Sequence, residues 1–281
     1  MPWPDPAIPR RPDVVLLFDA SPASQAALEA ALVRAGDQSR VRALYIEEHD
    51  WLCSARYAFA AEVSALSGAL HKYDLPGLEQ RLARRRQRVH RSLRTALEAT
   101  RSDCLFEVVR GRGIEQVLAL LASEEVLVVG RVGYTASVGR GLGSMALALA
   151  RRFDGEVMLT AVQKPSGAGR VAVLIDTPEA VSTLLASAAD RAHRRDSRLL
   201  VLLAPKGIDE PALLAWIADS PLSIDLVRLP SHAADSGSSL VWVLAAASVS
   251  ELLLSRRGRL LGSDAASLLL ARLPGTVSVL P

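Results

Sequence analysis

The stretch Val126-Leu127-Val128-Val129-Gly130-Arg131-Val132-Gly133-Tyr134-Thr135-Ala136-Ser137-Val138-Gly139-Arg140-Gly141-Leu142-Gly143-Ser144 decides how this chain is read. Four consecutive apolar residues closed by a glycine fit a strand buried on both faces. Ser144–Arg152 has helical character, with Ser144 at its start. Strand, glycine-rich loop and helix in that order put free amides at the end of a strand. Glycine allows close backbone approach and left-handed conformations. The amides and dipole of a helix start favour an anion. Gly130, Gly133, Gly143 and Ser144 are therefore candidate phosphate-binding positions. Arg131 and Arg140 either add positive charge or point to water. On spacing alone, glycines that merely shape turns remain an equal alternative. The loop is neither a Walker A loop, which needs Gly-Lys-Ser/Thr, nor the dinucleotide G-x-G-x-x-G.

Upstream, Val14–Phe18 is another short apolar run, closed by Asp19-Ala20-Ser21-Pro22. Ser21 or Ser24 is placed to cap a helix over Gln25–Arg34. Val41–Ile46 reads as a strand, Leu78–Ala99 as a long helix, Leu105–Val109 as a strand, Ile114–Ala122 as a helix and Val157–Val162 as a strand. Strands alternating with helices imply a parallel α/β sheet with crossover helices. Glu47–Leu75 shows no clear period, and its Trp51, Tyr57 and Phe59 serve either as a flap over the strand ends or as local packing.

Gln163–Gly169 reads as a linker, after which the pattern restarts. Val171–Asp176 repeats the first strand and its terminal acid, and Pro178–Arg194 the first helix. Leu199–Leu203, Ile224–Leu229, Leu240–Ala245 and Val277–Leu280 read as strands. Leu142-Gly143-Ser144-Met145-Ala146 matches Leu261-Gly262-Ser263-Asp264-Ala265, so the chain reads as a tandem repeat with a shorter second copy. Counting back from Gly262 puts Val249 and Leu252 at the first two glycine positions, where branched side chains block close backbone approach to a ligand.

The chain has 281 residues, of which 50% are apolar and only 4% aromatic, and its net charge is +3. That supports a large core or two cores, and does not by itself point to nucleic acid. Two isolated cysteines, Cys53 and Cys104, have no metal-ligand spacing and suit a reducing compartment. The proline-rich start lacks a signal-peptide core, and no long apolar run suggests a membrane span. The expectation is a soluble, cytoplasmic protein. The arginines of Leu78–Ala99 read as a solvated helix face, since no aromatic residues for base stacking interleave them. His49, Asp50 and His71 lack partners at metal-ligand spacing and read as loop residues.

The spacing G-x2-G-x9-G-S, carried by Gly130, Gly133, Gly143 and Ser144, resembles the nucleotide-binding signature of the universal stress protein (Usp) family. Leu17-Phe18-Asp19-Ala20-Ser21 is similar to that family's first strand and acidic strand end, and Val108-Val109-Arg110-Gly111 to its third. The likeness covers 13–162 well and 170–281 weakly. Val132 stands where a histidine is frequent, and Met145 where a small β-branched residue is usual.

The resemblance implies two tandem open parallel five-stranded sheets flanked by helices, Rossmann-related, packed as an intrachain pseudo-dimer. It implies domains at 13–162 and 170–281 with a 163–169 linker, the second domain degenerate. Val157–Val162 and Val277–Leu280 are then the strands that meet. It also implies ATP, or AMP or ADP, at the first domain's strand ends, with Mg2+ accompanying ATP. Asp19 and Ile46 would border adenine and ribose, Gly130 and Gly133 ribose and phosphate, and Gly143, Ser144 and the Met145 amide the phosphates. The implied role is stress response or regulation through a nucleotide-dependent protein partner, as a monomer with pseudo-dimeric domains or as a homodimer. No general base, no Ser-Gly-Gly-x-Asp-Ser and no His-Ile-Gly-His motif is present. Catalytic residues are therefore not expected, and hydrolysis would at most be slow. The alternatives are a scaffold without nucleotide and a slow ATPase.

Overall fold

The structure is a computed structural model that describes residues 13–36, 40–48, 57, 61–64, 67–72, 74–100, 103–111, 114–131, 144–162, 169–204, 209–230 and 237–281. The strands are β1 (Val14–Leu17), β2 (Val41–Glu48), β3 (Ala61–Val63), β4 (Leu70–Lys72), β5 (Leu105–Gly111), β6 (Val126–Gly130), β7 (Glu156–Thr160), β8 (Arg170–Ile175), β9 (Leu199–Leu203), β10 (Ile224–Arg228), β11 (Val249–Ser255) and β12 (Thr276–Leu280). The helices are α1 (Pro22–Ala35), α2 (Leu75–Thr100), α3 (Ile114–Ala119), α4 (Ser144–Arg152), α5 (Val181–Arg194), α6 (Glu210–Asp219), α7 (Gly237–Ala246), α8 (Arg259–Gly262) and α9 (Ala265–Arg272).

Ten strands form one sheet in the order β10-β9-β8-β11-β12-β7-β6-β1-β2-β5. The two five-stranded sheets expected from the sequence are thus fused. Every neighbouring pair is parallel except β7 and β12, which run antiparallel with Met158 opposite Ser278. Read outward from that pair, both halves have their fifth, fourth, first, second and third strands in turn. β3 and β4 form a separate hairpin within the stretch that showed no sequence period.

The inner strands are apolar on both faces because helices cover both, whereas the edge strands β5 and β10 are partly exposed and carry charged residues. On one face Val15, Leu127, Leu159, Leu174, Leu252 and Val277 belong to a single apolar cluster that runs across the β7–β12 junction beneath α3, α4, α7, α8 and α9. On the other face the clusters are separate. Val14, Leu16 and Phe18 pack under α1 and α2, and Val171, Val173 and Ile175 under α5 and α6. The junction between α1 and α5 is left as a groove.

Ser21 is the N-cap of α1, its hydroxyl accepting from the Ser24 amide at 3.1 Å, and Pro22 opens the helix. Two readings of the second half are corrected. Leu240–Ala245 is helical, within α7. Val249–Ser255 is a strand, so Val249 and Leu252 are buried in β11 and do not occupy loop positions. No helix among the described residues is long and apolar enough to cross a membrane.

Candidate functional site

Parallel sheets open a crevice beyond the C-terminal ends of their strands. In the first half Val128 pairs with Leu16, and Leu17 with Leu44. Gly130, Asp19 and Ile46 therefore sit at the C-terminal ends of three adjacent strands, β6, β1 and β2. Ser144 and Met145 open α4, as expected from the sequence, and Met145 packs against the core. Gly133, Gly143 and residues 132–143 in general lie outside the described residues, as do His49, Asp50, Trp51, Phe59 and residues 163–168.

Each of these strand ends also has work within the protein itself. Asp19 Oδ1 accepts from the Ser21 amide at 2.9 Å and shapes the entry to α1. Between them Ala20 has φ +61°, a left-handed conformation uncommon for a residue with a Cβ. A Cβ on Gly130 would lie 2.7 Å from the Ala23 backbone, so glycine there lets α1 seat against β6. Arg131 turns away from the strand ends. Its guanidinium is buried and donates to the Leu270 and Gly275 carbonyls of the other half. The reading of Arg131 as solvent-facing or phosphate-facing is corrected accordingly; the sequence held no signal for a partner 139 residues away.

The second half's crevice is closed. β11 is followed by three residues, Arg256 to Gly258, and then directly by α8. The Leu260 amide donates to Asp176 Oδ2 at 3.1 Å. Asp176, the counterpart of Asp19, is only 5% exposed, and burial holds its carboxyl above the ordinary range against the opposing hydrogen bond from Leu260. A Cβ on Gly258 would sit 2.4 Å from Asp176 Oδ1, so the loop passes directly over the carboxylate. Matching β7 to β12 by their ends, Thr160 to Leu280, and α4 to α9 by theirs, Arg152 to Arg272, places Asp264 at the position of Ser144, one residue beyond the sequence match through Ser263.

Among the described residues no group of three or more His, Cys, Asp or Glu side chains is placed to hold a metal ion. Cys104 is half-buried, and desolvation pushes its thiol up to about 11. Tyr57 is exposed.

No protein-family model matches the chain, and no curated protein does. Solved structures do. A universal stress protein from Archaeoglobus fulgidus is 14% identical, with TM-score 0.66, over 95% of this chain and 97% of that one. A candidate universal stress protein from Pseudomonas aeruginosa is 16% identical, with TM-score 0.58, over 96% and 92%. A functionally unknown protein from the same species is 13% identical, with TM-score 0.59, over 98% and 94%. The chain has the universal stress protein fold along nearly its whole length.

Proposed function

We propose that this chain is an adenine-nucleotide-binding regulatory protein of the universal stress type, with one site, in its first half. On this reading 13–162 and 170–281 are tandem domains joined by 163–169. The contrast between the two crevices carries the reading. Asp176 is sealed under Gly258 and bonded to Leu260, whereas Asp19 stays partly exposed beside Ile46 and Gly130 at the start of a thirteen-residue connection to α4. That connection holds G-x2-G-x9-G-S, whose amides suit phosphate.

ATP, AMP or ADP would then lie with adenine and ribose near Asp19 and Ile46. Gly130, Gly133, Gly143, Ser144 and the Met145 amide would hold ribose and phosphates, with Mg2+ on the phosphates. Occupancy would change the surface shown to a protein partner in the cytoplasm.

A scaffold without nucleotide is the second reading, favoured by Gly130 and Arg131, which both have structural employment without a ligand. The test is to denature the purified protein, assay for released ATP, ADP or AMP, and titrate ATP onto the wild type and Gly143→Leu. Binding near one nucleotide per chain, abolished in the variant, is the expected result. No released nucleotide and no titration signal would leave the scaffold.

A further inference from the structure

The gap between α1 and α5 is a groove of about 700 Å³, within the usual range for small-molecule sites. Met158 and Thr160 of β7 and Thr276 of β12 form its floor. The α1 wall carries the small apolar side chains Ala26, Ala30 and Val33, with Val33 76% exposed, flanked by Glu29 and Arg34. The α5 wall is basic, made of Arg191, Arg194 and Arg195.

Acids hold these arginines from behind. Glu251, fully buried in β11, accepts from Arg191 Nη1 on one oxygen, while Arg195 Nη2 stands 2.5 Å from the other as an ion pair without hydrogen-bond geometry. The Ser278 hydroxyl donates to the same carboxylate at 2.8 Å. Glu156 of β7 takes Arg191 at 2.6 Å and Arg34 at 3.1 Å, one on each oxygen. Glu251 opposes Thr276 as Val126 opposes Glu156, so by register the first half has a valine where the second has this buried acid. The fold does not require a charge there, and burying one is costly. The effect of Glu251 is to fix two guanidiniums at the edge of the groove.

A guanidinium carries five N–H donors in a rigid fork. Arg195 meets Glu251 through Nη2 alone, and its side chain is 39% exposed. Donors therefore exceed acceptors on this wall. Of the remaining lining acids, Asp190 is already paired with Arg194 at 2.9 Å, and Glu29 stands on the α1 wall.

The geometry points to a binding site for a small carboxylate with an apolar tail. Its head lies on Arg195 and Arg194, and its tail runs along Ala26, Ala30 and Val33 over Met158. The site is separate from the strand-end crevice and independent of whether that crevice binds nucleotide.

Calorimetric titration of the full chain with octanoate, 1-octanol and inorganic phosphate tests it. Octanoate is expected to bind saturably, with octanol and phosphate each about tenfold weaker or more, because charge-assisted bonds and apolar contact are both required. Arg195→Ala and Val33→Glu each weaken octanoate about tenfold; Val33→Glu does so at an unchanged melting temperature because Val33 is exposed, whereas Arg195→Ala also lowers the melting temperature by taking one guanidinium from buried Glu251, and Arg195→Lys keeps part of the affinity. Absence of saturable octanoate binding overturns the site. Equal binding of octanol or phosphate overturns its stated chemistry. Wild-type affinity in both Arg195→Ala and Val33→Glu overturns its location.

Discussion

Arg131 and Arg256 occupy matching positions in the two halves, and each guanidinium reaches across the junction to two backbone carbonyls of the other half. Arg131 follows the last residue of β6 and donates to Leu270 and Gly275. Arg256 follows the last residue of β11 and donates to Ala150, at 3.2 Å, and Gly155. Ala150 and Leu270 hold equivalent places on α4 and α9, and Gly155 and Gly275 on the turns that follow. The contact is reciprocal, as in the isologous interface of a two-fold dimer. Arg151 adds to it, donating to the Leu261 carbonyl at 3.0 Å.

Arg131→Met should therefore destabilise the whole molecule. It leaves two carbonyls unsatisfied in a buried place, an effect of about 2–3 kcal/mol. Arg256 is only half-buried, so Arg256→Met should cost about 1 kcal/mol. Because both clamp one rigid contact, the double variant should depart from additivity. Urea denaturation of the three variants measures this, and an Arg131→Met protein as stable as wild type would rule out the clamp.

The ion network at the junction makes a second prediction. Burial opposes ionisation of Glu251, yet Arg191 and Arg195 hold its carboxyl below the usual range. Glu251→Ala leaves Arg191 near-buried with Glu156 as its one acid beside the Ser278 hydroxyl and should lose about 3 kcal/mol. Replacing both charges, in Arg191→Met/Glu251→Val, should recover most of that loss, because Val126 shows that the sheet accepts valine at the matching position. If the double variant proves less stable than Glu251→Ala, the network holds the fold more strongly than its acid–base pairing accounts for.

The same network explains where the sequence misleads. Val249–Ser255 contains a glutamate and two serines, which disguise a packed strand; Glu251 is accommodated by Arg191, Arg195 and the Ser278 hydroxyl, all distant in sequence. Leu240–Ala245 is a short continuous apolar run, and such a run has no period to separate a strand from a buried helix. The inner strands β1, β6, β7, β8 and β9 were legible because both faces are apolar and turn residues close them; the edge strands β5 and β10 carry charges and are partly exposed, and show only as short apolar runs. At the site, the alternation marks Asp19, Ile46 and Gly130 as strand-end residues, and the likeness to the Usp family is what sets their three strands side by side. The inward turn of Arg131 could not, since a long-range partner leaves no local pattern.

Gly130→Ala should be destabilising whether or not a nucleotide is supplied. The new Cβ would meet the Ala23 backbone at 2.7 Å, so α1 must shift off β6, at about 1–3 kcal/mol. Thermal melts with and without ATP measure it. A variant with wild-type stability would mean that α1 yields easily and that glycine is held there for another reason.

Cys104 should be a slow nucleophile. Its thiol is pushed up to about 11 by burial, against a smaller opposing hydrogen bond from Ala43. The thiolate that reacts is scarce at neutral pH. Alkylation by iodoacetamide at about pH 8, with the modified residue mapped by mass spectrometry, should leave Cys104 largely unmodified in the native protein and label it fully in denaturant. Rapid native labelling would contradict the packing around β5.

Asp176 should make the closed second crevice pH-sensitive. Its folded carboxyl titrates above the ordinary value of 3.8, chiefly because burial disfavours the charge. The native state thus binds this proton more tightly than the unfolded chain does. The resulting stabilisation is fully present below pH 3.8 and is lost as pH rises through the folded value. Asp176→Asn keeps an oxygen for the Leu260 amide and carries no charge at any pH. Its melting temperature should lie nearest to wild type in acid and rise above it toward neutrality. Glu251, whose pKa shifts in the opposite direction, titrates in both proteins and cancels from the difference. Melting curves of the pair between about pH 3 and pH 8 measure it. A difference that shrinks as pH rises would mean that the Asp176 carboxylate is welcomed as an anion, and that the second crevice is closed by attraction and not merely filled.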